Sequence, residues 1–265
     1  WADRLPDRPW LSRGWLRQYV TSKPVLQDVP WDHPTAVAVW PSSLRVALRR
    51  MWEQRDTLLS AAESAPRTLC HLDVWPQNLI AADTTPAPDP ATASPQPAGP
   101  TPPTARTAPT AQSTRTARSP RAAQTTPSNA THRRTVLLDW AFVGEGGIGE
   151  DIANLIPDCV ADGLMPTDLL PEISEAVITA YLGGLRDGGH RIDEGELRQA
   201  VAAAGAAKYC RLAPLMLTRL AGGTPVGSVS YDVGGDDTAV LRRRIGLFEH
   251  LSDWSSRILA RTGPS

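Results

Sequence analysis

Residues 70–80, with the sequence CHLDVWPQNLI, place three polar side chains among apolar neighbours. His71, Asp73 and Asn78 stand close together here, whereas such residues are seldom buried together in an ordinary core strand. An apolar segment of strand length begins at Leu79, directly after the last of them. The spacing therefore indicates a loop with a chemical role that leads into a β-strand.

The pattern His-x-Asp-x-x-x-x-Asn is the arrangement found in the catalytic loops of phosphoryl-transferring kinases. In such chemistry a carboxylate, here Asp73, accepts or orients the proton of the attacking hydroxyl. The side-chain oxygen of Asn78 is a hard, neutral ligand that can help to hold Mg²⁺ beside the phosphates. Pro76 stiffens the loop between them. His71 is expected to serve the catalytic loop by bracing it through hydrogen bonds.

A second segment, residues 135–156 (TVLLDWAFVGEGGIGEDIANLI), supplies the groups that this chemistry also needs. Asp139 ends a short apolar strand, as a second metal-binding carboxylate should. Together with Asn78 it matches the small number of protein ligands usual for Mg²⁺ bound to phosphates. Glycines between positions 144 and 149 predict a tight loop before a helix that begins around Asp151. The two segments should therefore face one cleft.

Together the two segments resemble the aminoglycoside phosphotransferase and choline kinase family, a group of small-molecule relatives of the protein kinases. The resemblance lies in HLDVWPQNLI at 71–80 and LLDWAFVGEGGIGEDIANL at 137–155. It implies an α+β, mostly helical structure, namely the C-terminal lobe of a protein-kinase-like fold with a small β-hairpin that carries the metal site. Trp140 takes the aromatic place after the metal-binding aspartate, and Leu72 replaces the glycine usual after the histidine.

The same resemblance implies a role for each polar residue. Asp73 would be the catalytic base, and Asn78 and Asp139 would bind the ATP cofactor through Mg²⁺. Asp151, in the sequence DIA, would be a structural brace. The activity implied is transfer of the γ-phosphoryl group of ATP to a hydroxyl of a small molecule.

Residues 83–134 differ in composition from the rest of the chain. Of these 52 residues, 34 are Pro, Thr or Ala, and none is Val, Ile, Leu, Met, Phe, Trp, Tyr or Cys. Such a segment cannot bury enough apolar surface to offset its ordering entropy, so we expect a disordered insert within the hairpin. The kinase-like lobe then comprises residues 1–82 and 135–265. Apolar residues at helical spacing predict a helix from position 42.

Charge and composition limit the expected partners. The insert has a charge of +4, which leaves −5 on the remainder. Its arginines are dispersed without aromatic residues between them, so nucleic-acid binding is not predicted. No apolar run reaches the roughly 18–20 residues of a membrane helix, and the scattered cysteines form no metal pattern, which favours a cytoplasmic protein. The negative balance suits a cationic, aminoglycoside- or choline-like acceptor, but a solvated acidic face explains it equally well.

The amino-terminal β lobe of a kinase is not evident in the sequence. The chain begins at Trp1, and no five-stranded pattern precedes position 42. The two lysines of the chain, Lys23 and Lys208, lie outside any predicted strand, so neither is expected to pair with nucleotide phosphates. Two hypotheses stay open. The chain is a phosphotransferase truncated at its N-terminus, or it is an inactive pseudokinase that acts as a binding or regulatory protein.

Two other interpretations explain the pattern less well. A protein kinase needs a long activation segment, and only 12 positions separate Asp139 from Asp151. A helical domain with a chance motif would have to account for the ordered occurrence of Asn78, Asp139, the glycines and Asp151. The sequence does not indicate an oligomeric state.

Overall fold

The structure, a computed structural model, describes residues 7–22, 26, 28–84, 132–161, 163–226 and 236–262. The fold is α+β and mostly helical, which confirms the predicted class at this level. By its contacts the chain divides into two units. The first contains residues 1–80 and 137–265, and the second contains residues 81–136. Of the second unit, the structure describes residues 81–84 and 132–136.

The helices and strands within the described residues follow in chain order. The helices are α1 (Trp15–Thr21), α2 (Pro34–Val39), α3 (Ser42–Glu53), α4 (Arg55–Glu63), α5 (Glu150–Ala161), α6 (Leu170–Asp187), α7 (Glu194–Tyr209), α8 (Leu212–Ala221), α9 (Asp237–Arg243) and α10 (Ile245–Thr262). The strands are β1 (Ser12–Arg13), β2 (Arg67–Cys70), β3 (Leu79–Thr84), β4 (His132–Leu137) and β5 (Gly144–Gly147). Short 3₁₀ turns occupy Pro76–Asn78, Trp140–Phe142 and Thr167–Leu169.

Helix α3 shows how the amphipathic helices form. Its apolar residues Leu44, Leu48 and Met51 recur at helical spacing and are buried, while Arg49 and Arg50 on the other face are exposed. This pattern places one stripe of the helix against the core and the charged stripe in water. The helix predicted from position 42 is confirmed.

Helix α7 lies at the centre of the helical core, where it packs against α4, α5 and α10. Most of its residues between positions 200 and 207 are alanine, and all of them are buried. At Gly205 an added Cβ would lie 2.2 Å from the ring of Trp254 in α10. Small side chains therefore let three neighbouring helices approach α7 closely, and the C-terminal end of α7 carries Lys208 towards the loop after β2.

Three strands form a small sheet in which β5 lies in the middle, parallel to β1 and antiparallel to β2. The sequence predicts a tight loop at the glycines between positions 144 and 149. For the glycines that lie in β5 this prediction is wrong. An added Cβ would lie 2.2 Å from the backbone oxygen of Ser12 at Gly144, and 2.7 Å from Cys70 Sγ at Gly146. Glycine is required because neighbouring strands approach too closely for a side chain. Gly149, with a φ of 83°, makes the turn that follows.

Strands β3 and β4 pair with each other in a separate two-stranded sheet, one on each side of the insert. The prediction of disorder concerns residues 83–134, of which 85–131 lie outside the described residues. In the described residues before Ser42, the structure contains one strand, β1, and two helices, α1 and α2. Among the helices that the structure describes, none is both long enough and apolar enough to cross a membrane.

Candidate active site

The loop of residues 71–78 begins where β2 ends and finishes in the 3₁₀ turn that leads into β3. Leu72 in this loop has a φ of 68°, in the left-handed region that non-glycine residues rarely adopt. Its side chain is buried. In the family that this segment resembles, the residue at this position is usually glycine. The backbone conformation found here is one that favours glycine.

Asp151 holds the start of this loop from the first turn of α5. Its Oδ2 accepts a hydrogen bond from the backbone N–H of His71 at 3.0 Å, and its Oδ1 accepts one from Leu72 at 2.8 Å. Burial raises the pKa of the Asp151 carboxyl, and these two hydrogen bonds oppose the rise. Both carboxylate oxygens are thus used to fix the strained backbone at Leu72.

His71 joins the loop to the segment that carries Asp139. Its Nε2 lies 2.8 Å from the backbone oxygen of Leu138, and its Nδ1 accepts a hydrogen bond from the N–H of Asp73 at 3.3 Å. Because Nδ1 acts as an acceptor, Nε2 carries the proton and donates it to Leu138. The imidazole is buried, with the Trp140 ring edge-on at 4.7 Å. This arrangement suits a positioning role for His71.

Asn78 fixes the orientation of Asp73. Its side-chain amide donates to the backbone oxygen of Asp73 at 3.0 Å and to the Oδ2 atom of Asp73 at 3.2 Å. Asn78 is buried, whereas Asp73 is partly exposed. The backbone oxygen of Asn78 also accepts the N–H of Leu138 at 2.9 Å. The carboxylate of Asp73 is therefore held in a fixed orientation at the surface. Its loop is hydrogen-bonded to Leu138, the residue before Asp139.

Asp139 lies directly after Leu138 and adopts a left-handed backbone, with a φ of 56°. Its Oδ1 accepts the N–H of Ala141 at 3.4 Å and so caps the 3₁₀ turn that follows. The side chains of Trp140 and Phe142 on either side of that turn are exposed. Strained backbone conformations of this kind concentrate at functional sites, which makes Asp139 a candidate.

The donor atoms at Asn78 and Asp139 suit Mg²⁺. Both hydrogen bonds of the Asn78 side chain to described residues use its NH₂ group, so its amide oxygen is available within this part of the chain. Asp139 is exposed and adds a carboxylate. The described residues contain no cluster of three or more His, Cys, Asp or Glu side chains able to hold a metal. Mg²⁺ bound to phosphates needs fewer protein ligands than that, so the residues present fit it.

The structure also brings together residues that the sequence did not single out. Asn154, one turn after Asp151 on α5, donates its side-chain amide to the backbone oxygen of Val74 at 2.7 Å. Its Oδ1 accepts from the ammonium of Lys208, and the hydroxyl oxygen of Tyr209, which donates to Asp158 at 2.6 Å, lies 3.0 Å from the same atom. The helical spacing of Asp151 and Asn154 could have indicated that both face the loop. Nothing in the sequence placed Lys208 there.

A separate cavity of about 700 Å³ lies among α6, α7 and α10, where Ile178, Val201 and Trp254 are part of its lining. The lining includes neither Asp73 nor Asp139.

Comparisons of the chain with protein-family models, with curated proteins and with solved structures give no match. The functional assignment therefore depends on the geometry of the site itself.

Proposed function

We propose that this chain is an ATP-dependent phosphotransferase that transfers the γ-phosphoryl group to a hydroxyl of a small molecule. The observation that carries this proposal is the double hydrogen bonding of Leu138, whose N–H donates to Asn78 and whose oxygen accepts from His71. It joins the segment of Asp139 to the loop of Asp73. The proposed fold is the C-terminal lobe of a protein-kinase-like protein, with the metal site at the base of strands β3 and β4.

Each polar residue then has a defined task. Asp73 accepts or orients the proton of the acceptor hydroxyl, and Asn78 holds its carboxylate in place. The amide oxygen of Asn78 and the carboxylate of Asp139 would hold Mg²⁺, which supplies charge neutralisation at the phosphates of ATP when bound. His71 and Asp151 act by positioning the loop.

The left-handed backbone at Leu72 supports the resemblance independently of the polar residues. A glycine-like conformation persists at a position occupied by leucine, although it costs an L-residue about 1–2 kcal/mol. Two hydrogen bonds maintain the geometry around it: the N–H of Leu72 donates to the carboxylate of Asp151, and the N–H of Asp73 donates to Nδ1 of His71. The proposal includes a cytoplasmic location and no nucleic-acid or membrane partner.

An inactive pseudokinase is the second candidate function. The observation that favours it concerns lysine. In the described part of the chain the one lysine is Lys208, which lies in helix α7 and donates a hydrogen bond to Asn154. It does not take the place of the strand lysine that pairs with nucleotide phosphates in a kinase. A pseudokinase would bind nucleotide or acceptor without transfer, so binding and turnover have to be measured separately.

The test compares the wild-type chain with Asp73→Asn and Asp139→Asn. Asp187→Asn serves as the matched control, because Asp187 is exposed at the end of α6. We expect Mg²⁺-ATP to raise the melting temperature of the wild type, the control and Asp73→Asn, and to raise that of Asp139→Asn less. ADP formation with a panel of aminoglycosides and amino alcohols should fall by about 10²-fold or more in Asp73→Asn.

The outcomes separate the two candidates. Stabilisation by Mg²⁺-ATP without ADP formation would favour the pseudokinase. ADP formation that is unchanged in Asp73→Asn would show that the base is elsewhere. A melting temperature that does not respond to Mg²⁺-ATP in any variant would overturn the nucleotide site at Asn78 and Asp139.

A further inference from the structure

The cavity of about 700 Å³ among α6, α7 and α10 has no task in the chemistry proposed above. Proteins bind small molecules in cavities of roughly 300–1,000 Å³ that are lined mainly by apolar side chains. Here four buried apolar side chains belong to the lining, namely Ile178, Val201, Trp254 and Ile258. A ligand in the cavity would remove its own apolar surface from water against these side chains, which favours binding.

Two polar groups of the same lining lack a hydrogen-bond partner within the described part of the chain. The first is the hydroxyl of Ser174 in α6, a residue that is 6% exposed. The second is Nε2 of His250 in α10, which is a buried atom. Buried polar groups are nearly always hydrogen-bonded, because an unpaired one has lost its bonds to water without replacement. A ligand with a hydrogen-bonding group would supply the partner that the protein does not.

The kind of group that fits follows from the chemistry of these two side chains. Burial lowers the pKa of the His250 imidazole, so the ring is neutral at neutral pH. The Nε2 atom of a neutral imidazole donates in one tautomer and accepts in the other, and the hydroxyl of Ser174 can do either. A ligand hydroxyl also donates and accepts, so it can pair with either group in any of these states. A carbonyl or ether oxygen can only accept.

The charged side chains of the lining are bound to other side chains and leave no excess charge. Arg261 donates to the neutral side-chain oxygen of Gln199 at 2.6 Å. The ion pairs around the cavity are Arg198 with Glu175 and with Glu194, and Arg257 with Asp253. Three guanidinium groups therefore stand against three carboxylates, of which Glu194 lies outside the lining. A charged ligand would lose its hydration without gaining a net opposite charge, which disfavours anions and cations alike.

We propose that this cavity is a binding site for an uncharged, mainly apolar small molecule that carries a hydroxyl group, such as a phenylalkanol. The apolar body packs against the buried residues of α6, α7 and α10, and the hydroxyl forms hydrogen bonds with Ser174 or with Nε2 of His250. The lining includes neither Asp73 nor Asp139, so this site is separate from the proposed phosphotransferase site. Binding here does not depend on ATP.

Trp254 allows binding to be observed directly, because it is buried and lines the cavity. In the full chain labelled with nitrogen-15 tryptophan, NMR should show nine indole signals, and Trp254→Phe assigns the one from Trp254. The probes share a phenylpropyl body and are 3-phenyl-1-propanol, its methyl ether, 3-phenylpropanoate and 3-phenylpropylammonium. We expect the alcohol to shift the Trp254 signal saturably. It should bind about threefold more tightly than the ether and at least about tenfold more tightly than either charged probe.

Three variants test which residues the alcohol contacts. Ser174→Ala removes the hydroxyl and should weaken binding of the alcohol about three- to tenfold. Ser174→Leu also fills part of the cavity and should weaken binding by more than about tenfold. Ser252→Ala is the matched control, because Ser252 in α10 also has a buried hydroxyl without a partner in the described residues but lies outside the lining. It should bind the alcohol as wild type does. Ser174→Ala changes the volume little, so the test does not require the Leu variant to fold.

Any of three results would overturn the proposal. The first is a Trp254 signal that does not respond to the alcohol. The second is an anionic or cationic probe that binds as tightly as the alcohol, since the surroundings of the cavity would then favour a charge. The third is an equal affinity of Ser174→Ala and Ser252→Ala for the alcohol. The titrations contain no ATP, so this proposal and the phosphotransferase activity can fail independently of each other.

Discussion

The carboxylate of Asp151 accepts the backbone N–H of His71 at 3.0 Å, across 80 positions of the sequence. Those positions include the whole of residues 83–134, so the contact ties the first turn of α5 to the end of β2 regardless of the length of the insert. The cost of closing a longer loop grows slowly with its length. The candidate site is therefore held by contacts outside the insert.

Asp151→Asn should destabilise the chain by about 1–3 kcal/mol. An amide side chain can accept one of the two N–H groups through its oxygen, but its own NH₂ group would face the other. That leaves a buried donor of His71 or Leu72 without an acceptor. Urea unfolding measures the change, and Asp187→Asn should stay within about 0.5 kcal/mol of wild type. Equal stability of the two variants would contradict the bracing role of Asp151.

Glu150 should make stability depend on pH in an identifiable direction. Its Oε2 accepts the N–H of Gly147 at 2.8 Å, and burial is the main cause that raises its pKa above the ordinary 4.5. The folded state thus holds the proton more tightly than the unfolded state. The resulting contribution to stability is present below pH 4.5 and is lost as pH rises through the folded-state pKa.

The measurement is the free energy of unfolding of wild type minus that of Glu150→Gln, determined at a series of pH values from neutrality down to about 4.5. We expect the difference to increase as the pH falls from neutrality to about 4.5. Glutamine keeps the shape and can still accept from Gly147, which makes it the matched variant. A difference that decreases on acidification would show that the hydrogen bond outweighs burial.

At position 72, glycine should give a more stable variant than alanine, which is the reverse of the usual order. Both Leu72→Ala and Leu72→Gly remove a buried side chain, and both should destabilise the chain by about 2–5 kcal/mol. Glycine also relieves the strain of the positive φ, so Leu72→Gly should be more stable than Leu72→Ala by about 1 kcal/mol. At positions with ordinary backbone angles alanine is the more stable choice. That ordinary order at position 72 would contradict the left-handed backbone.

Much of the fold could be predicted because its cause is local. The helical spacing of Leu44, Leu48 and Met51 predicts α3, and the apolar run after Asn78 predicts β3. The loop with Asp73 stands out because polar residues interrupt an apolar segment. In each case a few neighbouring residues are sufficient, since the period of a helix or strand is expressed within one or two turns.

The rest depends on contacts between distant residues. Gly144 belongs to a strand because Ser12 and Cys70 approach it from both sides, and nothing near it in the sequence records those neighbours. Glycine locally predicts a turn, so the sequence favoured the wrong structure there. Lys208 reaches the loop of Asp73 only because the packing of α7 against α5 brings it near Asn154. Such proximity has no periodic signal.

Gly144→Ala should separate β1 from β5. A Cβ at Gly144 would lie 2.2 Å from the backbone oxygen of Ser12, and backbone atoms cannot move aside as a flexible side chain can. We expect a loss of about 1–3 kcal/mol or more in the free energy of unfolding. The N–H of Ser12, which donates to Val143 at 3.0 Å, should exchange with solvent faster.

Gly184→Ala is the matched control, because Gly184 lies inside helix α6 and an added Cβ there would have no atom within 4 Å. It should stabilise the chain by about 0.5–1 kcal/mol, since alanine loses less conformational entropy than glycine in a helix. Exchange at Ser12 should stay at its wild-type rate. If Gly144→Ala is tolerated as well as Gly184→Ala, with slow exchange at Ser12, then β5 does not lie between β1 and β2, and the glycines form the loop that the sequence predicts.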